Sequence, residues 1–315
     1  MGYKIKPECE VCGSVGHSLY SELPDSTFGN AALGSISKCS NSGCQTLWAN
    51  PFPDAKTISS FYEHYYTHDA GAADTRASSA RPALKSLIKS IVETLPFLPA
   101  QFSPSLRYLR KLPPGRLLDV GCGNGAFLAD AAEHGWQVYG QEFDAKAAEV
   151  ANKSSGAEVR LGDLLEVGFE HSSFDAITLS NVLEHLHNPR EIVTEACRLL
   201  KPGGKFVSIS PNPNSYLHTK FGQSWRGLEV PRHLFLLPPA ALREIASDAG
   251  FSAIEAFSVM GAFDFMERAS MEIREKEFPN KDAIPPATKL QRMSLRMKTL
   301  LGRDVGEWAV VVAQR

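Results

Sequence analysis

Residues 116–128 read Arg-Leu-Leu-Asp-Val-Gly-Cys-Gly-Asn-Gly-Ala-Phe-Leu, and the architecture follows from them. A short apolar run carrying Asp119 passes through Gly121, Gly123 and Gly125 and continues directly into an apolar helical pattern. Glycine reaches backbone torsions closed to other residues and brings main chain against a ligand with no Cβ in between. Strand, glycine turn and helix in immediate succession open a βαβ unit. Open α/β sheets gather their ligand groups at the carboxyl ends of strands, and Asp119 stands at such an end.

The segments that follow repeat the theme. Residues 137–142 form a second predicted strand ending on Glu142, whose carboxylate can accept from both hydroxyls of a ribose, with Phe143 beside it to lie against an adenine face. Asp144 is the predicted N-cap of a helix over 145–152. A third strand over 157–163 ends on Asp163, an acceptor for an adenine amino group, and a fourth spans 174–181. Asn188-Pro189 opens the next helix with a capping residue and a proline at the first helical position. Residues 200–204 turn the chain into a fifth strand over 205–210, a sixth spans 251–259, and 307–313 closes the chain as a strand. Strands alternating with helices imply a mostly parallel sheet covered on both faces. A carboxylate at position 119 suits a ligand that carries an amine, the first pointer to S-adenosylmethionine (SAM). The spacing Gly121-x-Gly123-x-x-Ala126 with Glu142 downstream also satisfies the looser dinucleotide fingerprint, so an NAD(P)-dependent oxidoreductase competes. Against it, Asp119 sets a negative charge near a pyrophosphate, and Gly125 gives the tighter G-x-G-x-G register.

LLDVGCGNGAFL, VYGQEFD, VRLGDLL, FDAITLSNVLEHL and LKPGGKFVSISPN occur in that order, and with them residues 113–260 resemble class I SAM-dependent methyltransferases of the small-molecule type. The likeness covers about half the chain and is specific for the cofactor, not for the methyl acceptor. It implies an α/β, Rossmann-like seven-stranded sheet of six parallel strands plus one antiparallel, the last strand being the antiparallel one. It also implies a SAM site, with S-adenosylhomocysteine (SAH) as product. Asp119 and the loop of Gly121, Cys122 and Gly123 would hold the methionine portion, Glu142 the ribose with Phe143 beside it, and Asp163 with Leu164 the adenine edge. The end of strand four around Ser180 would close the site.

The amino-terminal region is of another kind. Four of the six cysteines fall in the first 44 residues, as Cys9-x2-Cys12 and Cys39-x4-Cys44. Two short-spaced thiolate pairs are what a tetrahedral Zn2+ requires, and Gly13 and Gly43 support the tight turns beside them. Disulfides and a redox Cys-x-x-Cys compete, but residues 1–10 lack the apolar core of a secretory signal, which favours a reducing, cytoplasmic setting. His17 is an alternative ligand, and Cys122 and Cys197 are expected to be free packed thiols. With residues 47–53 and 61–66 following, the chain resembles methyltransferases with an amino-terminal zinc ribbon, some of them sugar C-methyltransferases. It departs from those in stopping soon after its catalytic domain.

The expected organisation is a zinc ribbon over 1–50, a helical lid or linker over 51–112, and a SAM-binding domain over 113–315 with insertions at about 211–237 and 261–303. In the lid, Pro82 starts an apolar stripe at helical spacing, 69–80 is rich in Ala, Ser and Gly, and Tyr62, Tyr65 and Tyr66 either line an acceptor pocket or anchor a helix. The acceptor side is expected after strands four and five, where Glu184-His185 and a proline-broken stretch with Trp225, Arg226, Pro231, Arg232 and His233 lie. Related methyltransferases carry a similar Pro-Arg-His segment, and the resemblance implicates a histidine there in proton removal. Histidine suits the task because its unperturbed pKa is about 6.5. His233 or His185 is therefore the candidate base, with Arg232 orienting the acceptor; the alternative is that both histidines only position loops. Met293, Met297, Leu300 and Leu301 form a stripe that either packs on the sheet or covers the acceptor pocket or a partner.

The whole chain of 315 residues has a formal net charge of −2, which gives no drive toward nucleic acid or membrane. No apolar run has the length of a membrane span. Lys6 stands where myristoylation prefers Ser or Thr. The expectation is a cytoplasmic methyltransferase, monomer or homodimer, acting on a small or carrier-linked acceptor, possibly a sugar or surface-polysaccharide metabolite. A non-catalytic SAM-binding or zinc-ribbon adaptor is the remaining alternative.

Overall fold

A computed structural model describes residues 2–27, 29, 33–61 and 105–315. The helix from Pro82, the stretch 69–80 and the three tyrosines at 62, 65 and 66 lie outside the described residues. The amino-terminal part contains β1 (Tyr3–Lys4), β2 (Gly16–Pro24), β3 (Leu33–Cys39), β4 (Leu47–Ala49), β5 (Phe52–Pro53) and the short helix α1 (Ala55–Ser59). The Rossmann-like part then alternates: β6 (Arg116–Val120), α2 (Ala126–Glu133), β7 (Gln137–Glu142), α3 (Ala145–Ser155), β8 (Glu158–Leu161), β9 (Phe174–Ser180), α4 (Pro189–Leu199) and β10 (Leu200–Pro211). After α5 (Tyr216–Phe221) and β11 (Phe235–Leu236) come α6 (Pro239–Asp248), β12 (Ser252–Val259), α7 (Phe263–Glu277), α8 (Lys289–Leu300) and β13 (Trp308–Gln314).

Seven strands form one sheet in the order β12-β13-β10-β9-β6-β7-β8. β6 pairs in parallel with β7 and β9, and β9 with β10, while β13 runs antiparallel between β10 and β12. The sheet therefore has the expected six parallel strands and one antiparallel. β6 and β13 are buried along nearly their whole length because helices cover both faces of the sheet there. One core joins this sheet to α4 and α6 and runs on into the cysteine-bearing region through Trp48, Phe52 and Phe235. A second lies on the opposite face around Leu117, Leu128, Val138 and Val310.

Local chemistry explains the element ends. Asp144 caps α3, its Oδ1 accepting from the Ala147 N–H at 2.8 Å. Pro189 begins α4, but Asn188 makes no side-chain cap; its amide donates to Glu191 Oε2 at 2.9 Å instead. β10 is longer than the predicted 205–210. Its register shifts between Leu200 and Lys205, so Lys-Pro-Gly-Gly is a bulge within one strand rather than a turn before it.

The stripe on α8 faces outward. Met293, Met297, Leu300 and Leu301 are exposed, and the helix packs through buried Leu295 into a cluster with Phe263 and Met266 of α7. Arg292 reaches buried Glu267 at 2.6 Å, which sets the rotation of the helix and leaves the Met/Leu face toward solvent. A smaller sheet has the order β11-β4-β3-β2, so a strand from the 211–237 stretch completes the amino-terminal sheet, Phe235 opposite Trp48. Among the described residues no helix is long and apolar enough to cross a membrane.

Candidate active site

The glycine loop between β6 and α2 takes left-handed torsions at Gly121, Gly123 and Gly125, with φ of +64°, +56° and +78°. At Gly125 a Cβ would come within 2.8 Å of Ala151 Cα, so that glycine lets α2 pack on α3. At Gly123 a Cβ would meet nothing within 4 Å, so the torsion and the open space beside the loop account for the residue, not crowding. Cys122 is buried and packs against Gly140, and burial pushes its thiol well above the usual range.

Asp119 is fully buried at the end of β6. Its Oδ1 accepts from the Thr178 hydroxyl at 2.6 Å and from the Arg107 guanidinium, while Oδ2 has no hydrogen-bond partner. Burial raises this carboxyl, and Arg107 and Thr178 oppose the shift. Arg107 in turn lies over the Phe127 ring, 3.7 Å from its centroid. Glu142 ends β7 and accepts from the Gly123 N–H at 2.8 Å through Oε2, and from the Phe143 and Asp144 N–H groups at 2.8 and 3.0 Å through Oε1. It ties the glycine loop to the adjacent strand end. Phe143 presents an exposed ring next to it. Asp163 follows β8 and accepts from the Leu165 N–H at 2.9 Å, and the Leu164 side chain turns into the core. Ser180 is half-buried at the end of β9. Sequence patterns did not single out Arg107, Thr178 or Gln141. Gln141 braces the loop by accepting from the Gly121 N–H at 3.3 Å; its mid-strand polarity beside Glu142 was the available signal.

Beyond the end of β9 lies a cavity of about 190 Å³, lined in part by Asn181, Glu184, His185, Arg226, His233 and Trp308. The turn Leu183–His185 supplies Glu184 and His185, and the stretch before β11 supplies His233. The two imidazoles meet edge to face with ring centroids 4.7 Å apart. Each is held at Nδ1 by a main-chain carbonyl, His185 by Arg232 O at 3.1 Å and His233 by Gly227 O at 2.8 Å. A carbonyl only accepts, so Nδ1 carries the proton in the neutral rings and Nε2 carries the lone pair. Burial drives His233 down to about 3 and lowers His185. Glu184 is fully buried, neither carboxylate oxygen has a hydrogen-bond partner, and burial pushes it up to about 8. Burial also works against the Glu229 carboxylate, yet His233, Arg226 and their neighbours hold it down at about 2.

Arg232 does not reach the cavity as expected of an acceptor-orienting residue. It is fully buried and binds Asp25 with both terminal nitrogens, at 2.9 and 2.5 Å, and Glu229 through Nε at 3.4 Å. It fastens the residue after β2 to the stretch before β11. Arg226, paired to Glu229 at 2.5 Å, is the arginine at the cavity wall.

The four amino-terminal cysteines converge. Cys9 and Cys44 sulfurs are 3.7 Å apart, Cys12 and Cys39 sulfurs 3.4 Å, and all four lie within 4.8 Å of one another. A tetrahedron with zinc–sulfur bonds of about 2.3 Å has edges of about 3.8 Å, so the spacing fits Zn2+ and not disulfides. Asn41 donates its N–H to Cys39 Sγ at 3.4 Å, as a ligand-turn amide does for a thiolate. The Cys44 thiol beside Cys9 pulls Cys9 down to about 5. His17 is exposed on β2 and outside this group.

A family model described as a methyltransferase domain matches residues 94–256, just over half of the chain. The chain belongs to the methyltransferase-domain family. Within that family, a ubiquinone biosynthesis O-methyltransferase of Dechloromonas aromatica (strain RCB) is 35% identical over 118 residues, covering 35% of this chain and 51% of the relative. Another, of Nitrosospira multiformis, is 33% identical over 151 residues, covering 44% of this chain and 63% of the relative. The chain thus spans between half and two thirds of the length of these relatives. A solved structure of Haemonchus contortus phosphoethanolamine N-methyltransferase 2 in complex with SAM is 18% identical, covers 91% of this chain and 70% of its own, and superposes with a TM-score of 0.51. This last likeness establishes the Rossmann-like methyltransferase fold and nothing about the acceptor.

Proposed function

We propose that this methyltransferase-domain protein transfers a methyl group from SAM to a hydroxyl of a small-molecule acceptor held in the cavity beyond β9. The observation that carries the reading is the row of carboxylates at adjacent strand ends. Asp119, Glu142 and Asp163 flank the glycine loop, and the next strand end opens into the chamber of Glu184, His185 and His233. The unpartnered Oδ2 of Asp119 is a buried acceptor that a ligand ammonium satisfies. The Gly121–Gly123 main chain and Cys122 would border the methionine portion, Glu142 the ribose, the exposed Phe143 ring the adenine face, and Asp163 with the Leu164 main chain the adenine edge. Ser180 would separate the two halves of the site.

When bound, SAM supplies an electrophilic methyl on a sulfonium. The chain's own part is geometry: holding acceptor and methyl in line lowers the barrier by about 7–11 kcal/mol. His233 and His185, which line the chamber, assist removal of the acceptor's proton. The names of the curated relatives favour a hydroxyl acceptor over a sugar carbon. The four cysteines hold a structural Zn2+, which fastens the turns before β2 and after β3.

Calorimetry with SAM, SAH and NAD on the purified chain tests the cofactor. Heat with SAM and SAH and none with NAD is expected; binding of NAD alone would remove the proposal. Methyl transfer from labelled SAM to a hydroxylated acceptor panel, abolished by His233→Ala with SAH binding retained, distinguishes an enzyme from a SAM-binding adaptor. Metal analysis should find one zinc per chain, lost in Cys39→Ser.

A further inference from the structure

We propose that the outward face of α8 is a membrane-binding surface, which lays its apolar ridge into a bilayer and its flanking cations against anionic lipid headgroups. The proposal does not depend on the reading of the cavity beyond β9. Three observations carry it.

The first is exposure. Leu290, Met293, Met297, Leu300 and Leu301 are 71%, 59%, 53%, 45% and 75% exposed. At 3.6 residues per turn the first four fall within an arc of about 80°, and Leu301 continues it past the last turn. The arc lies opposite Leu295 and Thr299, the buried residues of the helix. Single exposed apolar side chains are ordinary on a protein surface, whereas a continuous ridge of this kind marks an interaction site. The second is the way the ridge is held out. A capping box of Thr288 and Gln291 fixes the start of α8, and Arg292 reaches Glu267 of α7 at 2.6 Å. Glu267 is buried, and it also takes Lys220 at 2.8 Å and the Ala287 N–H at 2.7 Å. These polar contacts pin the rotation of α8, so the ridge cannot turn inward. The third is charge. Residues 289–303 hold Lys289, Arg292, Arg296, Lys298 and Arg303 and no acid, although the whole chain carries −2. By helical spacing, exposed Lys289 and Arg296 border the ridge on one side and exposed Lys298 on the other.

Lys and Arg run their stems along apolar surface and keep their charged ends in water. A ridge bordered on both sides by such cations matches the boundary between acyl chains and headgroups, with the helix in the plane of the membrane. The 12 residues of α8 lie along that boundary and are too few to cross a bilayer. The cations act locally, because charges farther away than about 8 Å are largely screened at physiological ionic strength. Each Lys or Arg near an anionic surface multiplies affinity by about fivefold. A second copy of the chain is the poorer occupant. Two such ridges packed about a two-fold axis would set Lys289, Arg296 and Lys298 against the same cations. The ridge is also convex and its other side is already packed on α7, which a deformable lipid surface accommodates without a preformed groove.

The test is flotation of the full chain with vesicles of phosphatidylcholine mixed with phosphatidylglycerol, against vesicles of phosphatidylcholine alone. Wild type is expected to float with the anionic vesicles only, and less as salt is added. Arg296→Gln combined with Lys298→Gln should weaken binding at least about tenfold, from the fivefold that each cation contributes. Met293→Gln combined with Met297→Gln should weaken it to a similar degree. All four residues are exposed, so an unchanged melting temperature shows that each variant is folded. Wild type that stays in solution with the anionic vesicles, or binds them equally after both pairs of substitutions, overturns the proposal. Equal flotation with both kinds of vesicle overturns the assignment to anionic lipid. A wild-type dimer that the methionine substitutions dissociate, with no vesicle binding, gives the ridge to a second copy and overturns the proposal as well.

Discussion

Asp119 is the side chain on which the proposed cofactor contact turns, because it is buried, paired on one oxygen and open on the other. Hydrogen bonds to a charged group contribute about 1.5–3 kcal/mol, so Asp119→Asn is expected to weaken SAM binding by about ten- to a hundredfold, measured by calorimetry at constant pH. A different residue, together with Glu184, makes stability depend on pH. Glu307 is fully buried and accepts from the Leu217 N–H and the Trp225 indole, both at 3.2 Å, yet burial raises it to about 7. A carboxyl raised on folding binds more protons in the native than in the unfolded state, so stability falls as pH rises from about 4.5 through 7. The loss is on the order of 3 kcal/mol at most. Denaturant unfolding at pH 5 and pH 8 should show it, and Glu307→Gln should reduce the difference.

At the scale of elements, two glycines of one loop separate packing from torsion. Gly125→Ala brings a Cβ against Ala151 Cα at the α2–α3 contact and also strains a φ of +78°. Gly123→Ala faces open space and meets only the torsional cost, about 1 kcal/mol. The melting temperature should fall clearly more for the first variant than for the second. SAM affinity should fall for Gly123→Ala, whose new methyl projects toward the proposed ligand. Element order and strand ends were legible in the sequence because they rest on local pattern: apolar runs, glycine turns, Asp144 at a helix start. The rotation of α8 was not. Its apolar stripe pointed to a buried face, but contacts from Arg292 to Glu267 and of Leu295 with α7 turned the stripe outward.

Over the whole molecule, the amino-terminal sheet and the cavity beyond β9 are one construction. β11 pairs with β4, and Arg232, whose carbonyl holds His185, is itself held by Asp25. Breaking this buried ion pair from one side leaves Arg232 with Glu229 but without its bidentate partner, and such losses run up to about 3–5 kcal/mol. Asp25→Asn should therefore lower unfolding free energy by an amount of that order in chemical denaturation, and reduce methyl transfer more than SAH binding. Removing the proposed zinc from the cysteines should act in the same direction, through β3 and β4.

Local pattern in the chain sets the strands and helices of the seven-stranded sheet and the acids at its strand ends, since each depends on residues only a few positions apart. Only the tertiary structure brought Arg107 onto Asp119, turned Arg232 from the acceptor to Asp25, and gathered Glu184, His185 and His233 around one point. Those meetings join segments separated by many residues, and the packing of β11 on β4 and of the loops over β9 selects them, which no local periodicity encodes.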